Sequence, residues 1–404
     1  MLSQKNSDQP PRSLWRTRNV WAFSLASLFS DWGHEMVTSL MPGFLIALGA
    51  PAVALGLTEG ISNLAQAWAA LWGGKINDRK TYRHRFLLVG YVLTGLKALM
   101  AVVYWWPWVV ILRTVGWSGR GVRGPIRDSY IAEEVPAEHV GKAYGLREMF
   151  DTTGAVLGPL GAALLVAFVT PRTLIAWTAI PAAMTIFVIV RVRKVSPSPI
   201  SSPSTKVSPS VTWGRPFVRY RTASLIFTMG YVAPTFFILR VWQSHVTIGP
   251  VSAETLALLL YAWHNVVYAA SSYPVGWLSD RLTGRPLLVL GYGCWALVVF
   301  GFFVGLSGMI WWAILFALAG LATGLIEVAQ KLATVRITTA TTRGQGLGQI
   351  AAIRGVGQLV AGLVMGVLWT VSNPRVGFGV ETGLACLGIL MMIQAGRAGG
   401  AADE

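Results

Sequence analysis

Two short stretches decide how this sequence folds: GKINDR at residues 74–79 and GWLSDR at residues 276–281. Each follows a long apolar run, and both have the same Gly-x-x-x-Asp-Arg spacing. A second pair of similar stretches, GKAYG at 141–145 and GQGLG at 344–348, lies at nearly the same offset. Two matches in register indicate that the chain consists of two halves that repeat each other.

Twelve apolar runs are long enough to cross a bilayer, because a membrane-spanning helix needs roughly 20 residues. In the first half, spans 1 to 6 are predicted at Asn19–Leu48, Val53–Gly74, Phe86–Trp106, Trp108–Ala132, Lys142–Val169 and Thr173–Val192. In the second half, spans 7 to 12 are predicted at Thr222–Trp242, Ala253–Leu278, Pro286–Leu306, Met309–Val335, Leu347–Val371 and Phe378–Ala395. The predicted fold is an all-α membrane protein with twelve transmembrane helices in two pseudo-symmetric six-helix bundles.

The composition argues against a soluble protein. Of the 404 residues, 54% are hydrophobic and only 12% are charged, and the mean hydropathy is +0.55. A soluble fold of this kind would have too little polar surface to cover itself. The net charge of +16 lies mainly in short gaps between apolar runs, which is typical of loops that face anionic headgroups. We therefore expect a surrounding lipid bilayer and no nucleic-acid partner.

A Ser/Pro-rich segment, VSPSPISSPSTKVSPS at 195–210, separates the two sets of spans. It predicts an N-terminal bundle at 1–194, a cytoplasmic linker at 195–216 and a C-terminal bundle at 217–404. Lysine and arginine cluster before span 1 and after spans 2, 6, 8 and 10. The positive-inside rule then places both termini in the cytoplasm. We expect a multi-pass protein of the cell inner membrane that acts as a monomer.

Together these features resemble the major facilitator superfamily, and the resemblance covers nearly the whole chain. The loop of that family has the form G-x-x-x-D-R-x-x-R-R and follows spans 2 and 8, as both copies do here. The resemblance implies transport by rocking of two bundles around a midplane site. It also implies that bonds of the two loops hold the cytoplasmic sides of the halves together in one state. The predicted gating residues are Gly74, Asp78, Arg79, Gly276, Asp280 and Arg281.

Two further motifs narrow the resemblance. Span 5 contains GAVLGPLG at 154–161, which is similar to the G-x-x-x-G-P signature of the antiporter branches of the family. Its Gly154 and Gly158 would allow close helix approach and Pro159 would let the helix bend, although plain close packing is the alternative. Span 4 contains GRGVRGPIRD at 119–128, which is similar to a bacterial subfamily of largely uncharacterised exporters. These motifs imply an efflux antiporter.

Span 1 carries the first candidate site residues, because ionisable groups are costly at bilayer depth. Asp31, His34 and Glu35 lie near its midpoint, and the two carboxylates are four residues apart on one helix face. Carboxylates on one face repel when both are ionised, which suits proton loading and release. Three interpretations stay open: proton coupling or substrate binding, structural pairing with arginines of span 4 or 5, and a cytoplasmic vestibule.

Other spans supply the remaining candidates. Span 2 has a polar stripe that lines either a cavity or a seam between helices, formed by Glu59, Asn63 and Gln66. Span 4 has arginines on one face that bind either an anionic solute or nearby carboxylates in an internal charge network, with Arg113 and Arg120 as the site candidates. Further candidates are Asp151 of span 5, His264 and Asn265 of span 8, and Glu327 of span 10. Lys97 of span 3 is expected at the periphery.

The predicted function is a secondary active transporter that moves a small solute by alternating access, as a proton-coupled exporter. The sequence predicts no nucleotide-binding loop, no cofactor and no enzyme active site. One alternative is a divalent metal exporter of the same fold, because Asp31, His34 and His264 could bind a metal if they converge. The alternative from another class is a non-transporting membrane scaffold or sensor.

Overall fold

The computed structural model of the chain describes residues 17–79, 82–193, 213–244, 246–247, 249–281, 284–339 and 342–400. In the first half, span 1 is the helix Arg18–Ala47 and span 2 is Ala52–Asp78. Span 3 is Arg83–Gly95 continued by the 3₁₀ segment Leu96–Val102, and span 4 is Trp106–Glu134. Span 5 is Val140–Leu165, and span 6 consists of Pro171–Trp177 and Ala179–Ile189.

The second half repeats this arrangement. Span 7 consists of the helices Arg215–Met229 and Thr235–Trp242, and span 8 is Ala253–Arg281. Spans 9 to 12 are Gly284–Val304, Met309–Ile337, Arg343–Val371 and Pro374–Gly400. The prediction of an all-α fold with twelve spans is confirmed. The predicted linker at 195–216 lies largely outside the described residues, as do the side chains of Asp280 and Arg281.

Hydropathy divides the spans into two groups. Within the described residues, six helices are long and apolar enough by themselves to cross a membrane, namely spans 3, 6, 9, 10, 11 and 12. The other six either carry several charged or polar residues or, in span 7, are interrupted. Polar groups are tolerated in a membrane helix when they face protein or a water-filled cleft. The less apolar spans are therefore expected to contribute most of the functional site.

Within the described residues, the two halves meet mainly through four helix pairs: span 2 with span 11, span 5 with span 8, span 1 with the second segment of span 7, and span 1 with span 8. Spans 2 and 11 approach most closely where Gly56 faces Gly362, since a Cβ on either glycine would overlap the other's backbone. Nearby, the Val53 amide donates to the Thr370 hydroxyl at 3.2 Å. Small residues at this seam bring the two backbones into direct contact.

The halves are closed at one end and open at the other. At the predicted external end, Phe44, Leu45 and Leu239 are buried between span 1 and span 7. At the predicted cytoplasmic end, spans 2 and 11 still touch, since a Cβ on Gly348 would lie 3.0 Å from Leu71, but a Cβ on Gly145 of span 5 or on Gly344 of span 11 would meet no atom within 4 Å. With the predicted orientation, we infer that this conformation is inward-open.

Three details differ from the prediction, and the first is that span 6 is divided into two helices at Thr178. Span 7 was expected to be one continuous helix, but it is interrupted between Met229 and Thr235. Gly230 and Pro234 explain the interruption, because glycine weakens a helix and proline cannot donate the backbone bond that would continue it. Lys97 was expected at the periphery, but it is 3% exposed and donates from Nζ to the Ser30 carbonyl of span 1 at 3.0 Å.

Candidate functional site

A bidentate ion pair joins span 1 to span 4. Arg120 donates from Nη1 to Asp31 Oδ1 at 2.9 Å and from Nη2 to Asp31 Oδ2 at 3.1 Å. Asp151 of span 5 interacts electrostatically with both residues and lies 3.5 Å from Arg147. Two parallel bonds fix the relative geometry of the two side chains and are stronger than a single neutral bond. The structure therefore brings the predicted Asp31, Arg120 and Asp151 together.

A second buried pair joins span 2 to span 4. Arg113 Nη2 donates to Glu59 Oε1 at 3.0 Å and to the Thr38 hydroxyl of span 1 at 3.1 Å. The Arg113 side chain is fully buried, and its guanidinium lies 3.6 Å from the centre of the Trp117 ring. Trp117 in turn donates to Asn63 Oδ1 at 3.1 Å. Glu59 and Asn63 therefore form a polar seam between spans 2 and 4, which was one of the two alternatives for this stripe.

His34 lies beside this second ion pair, against Trp117. Its ring stacks on Trp117 with the centroids 3.9 Å apart, and its Nε2 lies 3.7 Å from Glu35 Oε1. The Nδ1 atom is buried and has no hydrogen-bond partner. The ring is therefore held by stacking and retains one nitrogen that is free to accept or donate a bond.

Glu35 links the two halves of the molecule. Its Oε2 accepts a hydrogen bond of 2.8 Å from the Tyr261 hydroxyl of span 8. A second link lies close by, where Asn265 Nδ2 donates to the Ala155 carbonyl of span 5 at 2.8 Å. Asn265 also bonds His264 Nδ1 at 3.0 Å. The predicted residues of spans 1 and 8 thus meet at the seam about which the halves would have to move.

The C-terminal half has its own ion pair. Glu327 of span 10 lies 3.5 Å from Arg354 of span 11 and accepts a bond of 2.7 Å from the Tyr268 hydroxyl. The Arg354 guanidinium also lies 5.9 Å from the ring centre of Tyr231 in span 7. The sequence identified Glu327, but only the structure gives it these partners.

Partial exposure shows which of these groups reach water. The exposed fractions of the side chains are 16% for Glu35, 25% for Arg120, 19% for Asp151, 32% for Glu327 and 27% for Arg354. By contrast, Arg113 is fully buried. The charged groups that keep exposure come from both halves, which indicates a polar cleft between them that leads to the open end.

Further along span 4 lie two more arginines, Arg123 and Arg127, that have few acidic partners. Arg123 is 2% exposed, donates to the Ser30 hydroxyl at 2.8 Å and lies 4.1 Å from the centre of the Tyr91 ring. Its Nε and Nη1 have no partner. Arg127 instead pairs with its own neighbour Asp128 at 3.0 Å. The span-4 arginines therefore form a charge network only in part, since no carboxylate of the described residues lies within ion-pair distance of Arg123.

The other site residues predicted from the sequence take part in helix packing or are partly exposed. Gly154 and Gly158 pack span 5 on span 1, and a Cβ on Gly158 would lie 2.7 Å from the Trp32 carbonyl oxygen. This contact agrees with close packing, and the bending role of Pro159 stays a prediction. The Gln66 side chain is half-buried, and Gly74 has open space around it. Asp78 and Arg79 are exposed at the end of span 2.

A metal site gains no support from the geometry. The described residues contain no group of three or more His, Cys, Asp or Glu side chains that could hold an ion. His34 is stacked on Trp117, and His264 is bonded to Asn265. Each histidine is thus engaged in its own half of the molecule.

One residue was missed by the sequence reasoning. Glu381 of span 12 is 0% exposed, and neither of its carboxyl oxygens has a hydrogen-bond partner among the described residues. The signal was present, because a single carboxylate inside an apolar run is costly and is a candidate by the same rule that identified Asp31.

Comparison with known proteins agrees with this architecture. The sequence profile of the Major Facilitator Superfamily matches residues 23–262 and 247–398. An uncharacterized MFS-type transporter of Methanocaldococcus jannaschii is 27% identical over 395 residues, covering 96% of this chain and 97% of the relative. An uncharacterized protein of Mycobacterium tuberculosis is 24% identical over 386 residues, covering 92% of this chain and 91% of the relative.

Solved structures share the fold at low sequence identity. A mutant of the nucleoside transporter NupG superposes with a TM-score of 0.77 at 9% identity, covering 93% of this chain and 99% of the other. A bacterial homolog of the human lysosomal transporter Spinster, inward-facing and occupied, gives a TM-score of 0.72 at 16% identity. In that case the match covers 97% of this chain and 98% of the other.

Proposed function

This chain belongs to the Major Facilitator Superfamily, and we propose that it is a proton-coupled exporter that exchanges protons for a small organic solute. Membership of the family makes it a multi-pass membrane transporter and not an enzyme. The proposal adds the coupling ion, the direction of transport, the inner membrane as location with both termini in the cytoplasm, and a monomeric state.

The hydrogen bond between Tyr261 and Glu35 carries the proposal. Among the site carboxylates Asp31, Glu35, Glu59, Asp151 and Glu327, Glu35 is the one without an arginine partner. A carboxylate that lacks a fixed counter-charge can gain and lose a proton at lower cost than one held in an ion pair. Glu35 also keeps partial exposure, so protons can reach it from the cleft.

The position of Glu35 connects protonation to movement. Gly158 of span 5 packs on the backbone of Glu35, since a Cβ on Gly158 would lie 3.1 Å from the Glu35 carbonyl carbon. Tyr261 of span 8 binds the same residue from the other half. Protonation changes which groups the carboxyl can bind, so it alters a contact at the seam between the halves. This is the coupling that alternating access requires.

The solute is proposed to bind between the two exposed charge clusters. Arg120 and Asp151 face the cleft from the N-terminal half, with Asp31 buried behind Arg120, and Glu327 and Arg354 face it from the C-terminal half. Such a cleft suits a small polar or charged organic molecule that can exchange bonds with these groups. The inward-open conformation presents the cleft on the side from which an exporter takes its solute.

The test has two stages, because the solute must first be found. Wild-type protein is produced in an efflux-deficient bacterial host, and growth is scored against a panel of toxic organic compounds. For a compound to which it confers resistance, proton release is then followed in energised everted vesicles when the compound is added. We expect compound-dependent proton efflux with the wild type and with the exposed-carboxylate control Glu138→Gln, and none with Glu35→Gln. Resistance without compound-dependent proton movement in the wild type would refute proton coupling.

A further inference from the structure

The buried carboxyl of Glu381 lies outside the cleft and has no role in the proposed function. It belongs to span 12, is 0% exposed, and neither oxygen has a hydrogen-bond partner. An ionised carboxylate without partners in such a place is prohibitively costly, so the group is protonated in the inward-open conformation. A protonated carboxyl also gains nothing here, because its hydroxyl donates to no acceptor. A merely structural residue at this position would be better replaced by an apolar one.

The interruption in span 7 packs directly on this part of span 12. A Cβ on Gly230 would lie 2.7 Å from the Glu381 carbonyl oxygen and 2.6 Å from the Ala385 amide nitrogen. Glu381 therefore shares an interface with the point where span 7 stops being helical. Buried groups at the interruption also lack partners, since the Thr235 hydroxyl is 1% exposed and has none.

The interruption leaves backbone donors free as well. Within the described part of the chain, the amides of Val232 and Ala233 donate no hydrogen bond, and Pro234 has no amide hydrogen. The helix Thr235–Trp242 begins immediately after them. Free amides at the start of a helix favour a negative charge. The segment thus holds donors that suit an ionised carboxylate, and it packs through Gly230 on the turn of span 12 that carries Glu381.

No other ionisable group neutralises Glu381. On the spans packed against it and on its own span, the ionisable side chains within the described membrane region are Tyr220, Tyr231, Arg240, Tyr292, Cys294, Arg354, Arg375 and Cys386. Tyr220 bonds the Gln330 carbonyl, Tyr231 bonds Thr323, and Arg354 pairs with Glu327. No ion pair or hydrogen bond joins any of the eight to the Glu381 carboxyl.

We propose that Glu381 is a second protonation site, which holds a proton in the inward-open conformation and releases it when span 7 rearranges so that the free amides bind its carboxylate. In that step the O–H bond of the carboxyl breaks, the proton passes to water, and N–H···O bonds from the interruption form. Acidic pH then favours the inward-open conformation through this site. The site lies in the C-terminal bundle and does not depend on Glu35 being the coupling residue.

The experiment follows the conformation directly, so it needs no solute. The two native cysteines are replaced by serine, spin labels are attached to Gly145→Cys and Gly344→Cys, and the protein is reconstituted in lipid nanodiscs. Distances between the labels are measured by pulsed electron paramagnetic resonance from about pH 5 to about pH 9, a range wide enough to follow the titration of a buried carboxyl. Infrared spectra of unlabelled protein over the same range record the carbonyl stretch of protonated carboxyl groups.

We expect the wild type to move away from the inward-open distance as pH rises, and to lose a carbonyl band of a buried protonated carboxyl. Glu381→Gln should lack that band and remain inward-open to higher pH, whereas Glu35→Gln should keep both the band and its loss. Glu381→Met should fold and should unfold at a temperature no lower than that of the wild type. Its label distance should respond to pH as weakly as that of Glu381→Gln. An unchanged band in Glu381→Gln, an unaltered pH response, or a strongly destabilised Glu381→Met protein would each overturn the proposal.

Discussion

At the scale of single residues, the structure separates two carboxylates that the sequence presents as equivalent. Asp31 is held by two bonds from Arg120, whereas Glu35 binds only a tyrosine and lies near a histidine. The difference follows from helix geometry, because residues four apart share a face but point at different neighbours. Asp31 therefore has the surroundings of a fixed structural anion, and Glu35 has those of a group that changes its charge.

Tyr261→Phe tests the role of this contact while keeping the aromatic ring. The change removes one hydrogen bond between the halves, which contributes about 1.5–3 kcal/mol when the acceptor is charged. We expect the inward-open population to fall by roughly 10- to 150-fold relative to the competing state. Pulsed resonance distances between labels at Gly145→Cys and Gly344→Cys measure this population. The matched control is Tyr104→Phe, whose side chain is exposed on the predicted external side, and equal behaviour of both variants would contradict the prediction.

Arg113→Gln tests the buried pair between spans 2 and 4. Removing one partner of a buried pair leaves the other charge uncompensated, which costs about 3–5 kcal/mol. We expect a loss of that size in the free energy of unfolding, measured by detergent denaturation. The double variant Arg113→Met with Glu59→Met should recover most of the loss, because it removes both charges. The control Arg85→Gln, at an exposed position, should change the free energy of unfolding by no more than about 0.5 kcal/mol. A loss in Arg85→Gln as large as that in Arg113→Gln would contradict the prediction.

The same reasoning explains how much of the site could be predicted. The cost of burying charge identified Asp31, Glu35, Glu59, Arg113 and Arg120 from the sequence, and all of them take part in the ion pairs and hydrogen bonds of the candidate site. Their partners could not be derived, because they depend on how each helix is rotated about its axis and on how the two halves approach. Tyr261 illustrates this: nothing in span 8 alone indicates that its hydroxyl binds a carboxylate of span 1.

At the scale of elements, the repeated Gly-x-x-x-Asp-Arg stretches and apolar runs were sufficient to predict all twelve spans. They could not predict the interruption of span 7, since isolated Gly and Pro residues also occur in the continuous helix of span 1, which contains Pro42. What distinguishes span 7 is the combination of Gly230 packed on span 12 with Pro234 four residues later. The break is thus a consequence of tertiary packing acting on a locally weak sequence.

The glycine contact between spans 2 and 11 gives a prediction at this scale. Gly56→Ala places a methyl group against the Gly362 backbone, so the two helices must separate at the external end. We expect the closed external end to loosen, which increases labelling of a cysteine at Leu45→Cys by a membrane-impermeant maleimide several-fold. Gly293→Ala is the matched control, because its added methyl group meets no atom within 4 Å. Increased labelling in both variants, or in neither, would show that this contact does not close the external end.

At the scale of the whole molecule, the packing of the two halves predicts which surfaces water can reach. In the inward-open conformation, Lys331 of span 10 is exposed and interacts with Glu327 in the cleft, whereas Leu45 is 3% exposed between spans 1 and 7. With the orientation that the positive-inside rule predicts, the cleft opens to the cytoplasm. A transporter with alternating access must also visit the opposite arrangement, with Leu45 accessible and Lys331 shielded.

Thiol labelling in vesicles of both orientations tests these statements together. In a chain without the native cysteines, Lys331→Cys should react with an impermeant maleimide quickly in everted vesicles and at least about tenfold more slowly in right-side-out vesicles, because one side of the cleft is sealed. Leu45→Cys should react slowly, and only in right-side-out vesicles. Addition of a transported solute should change the two rates in opposite directions, since one rigid-body movement closes one end as it opens the other. Equal labelling of Lys331→Cys from both sides would contradict the sealed external end, and reversal of the two preferences would instead invert the assigned orientation.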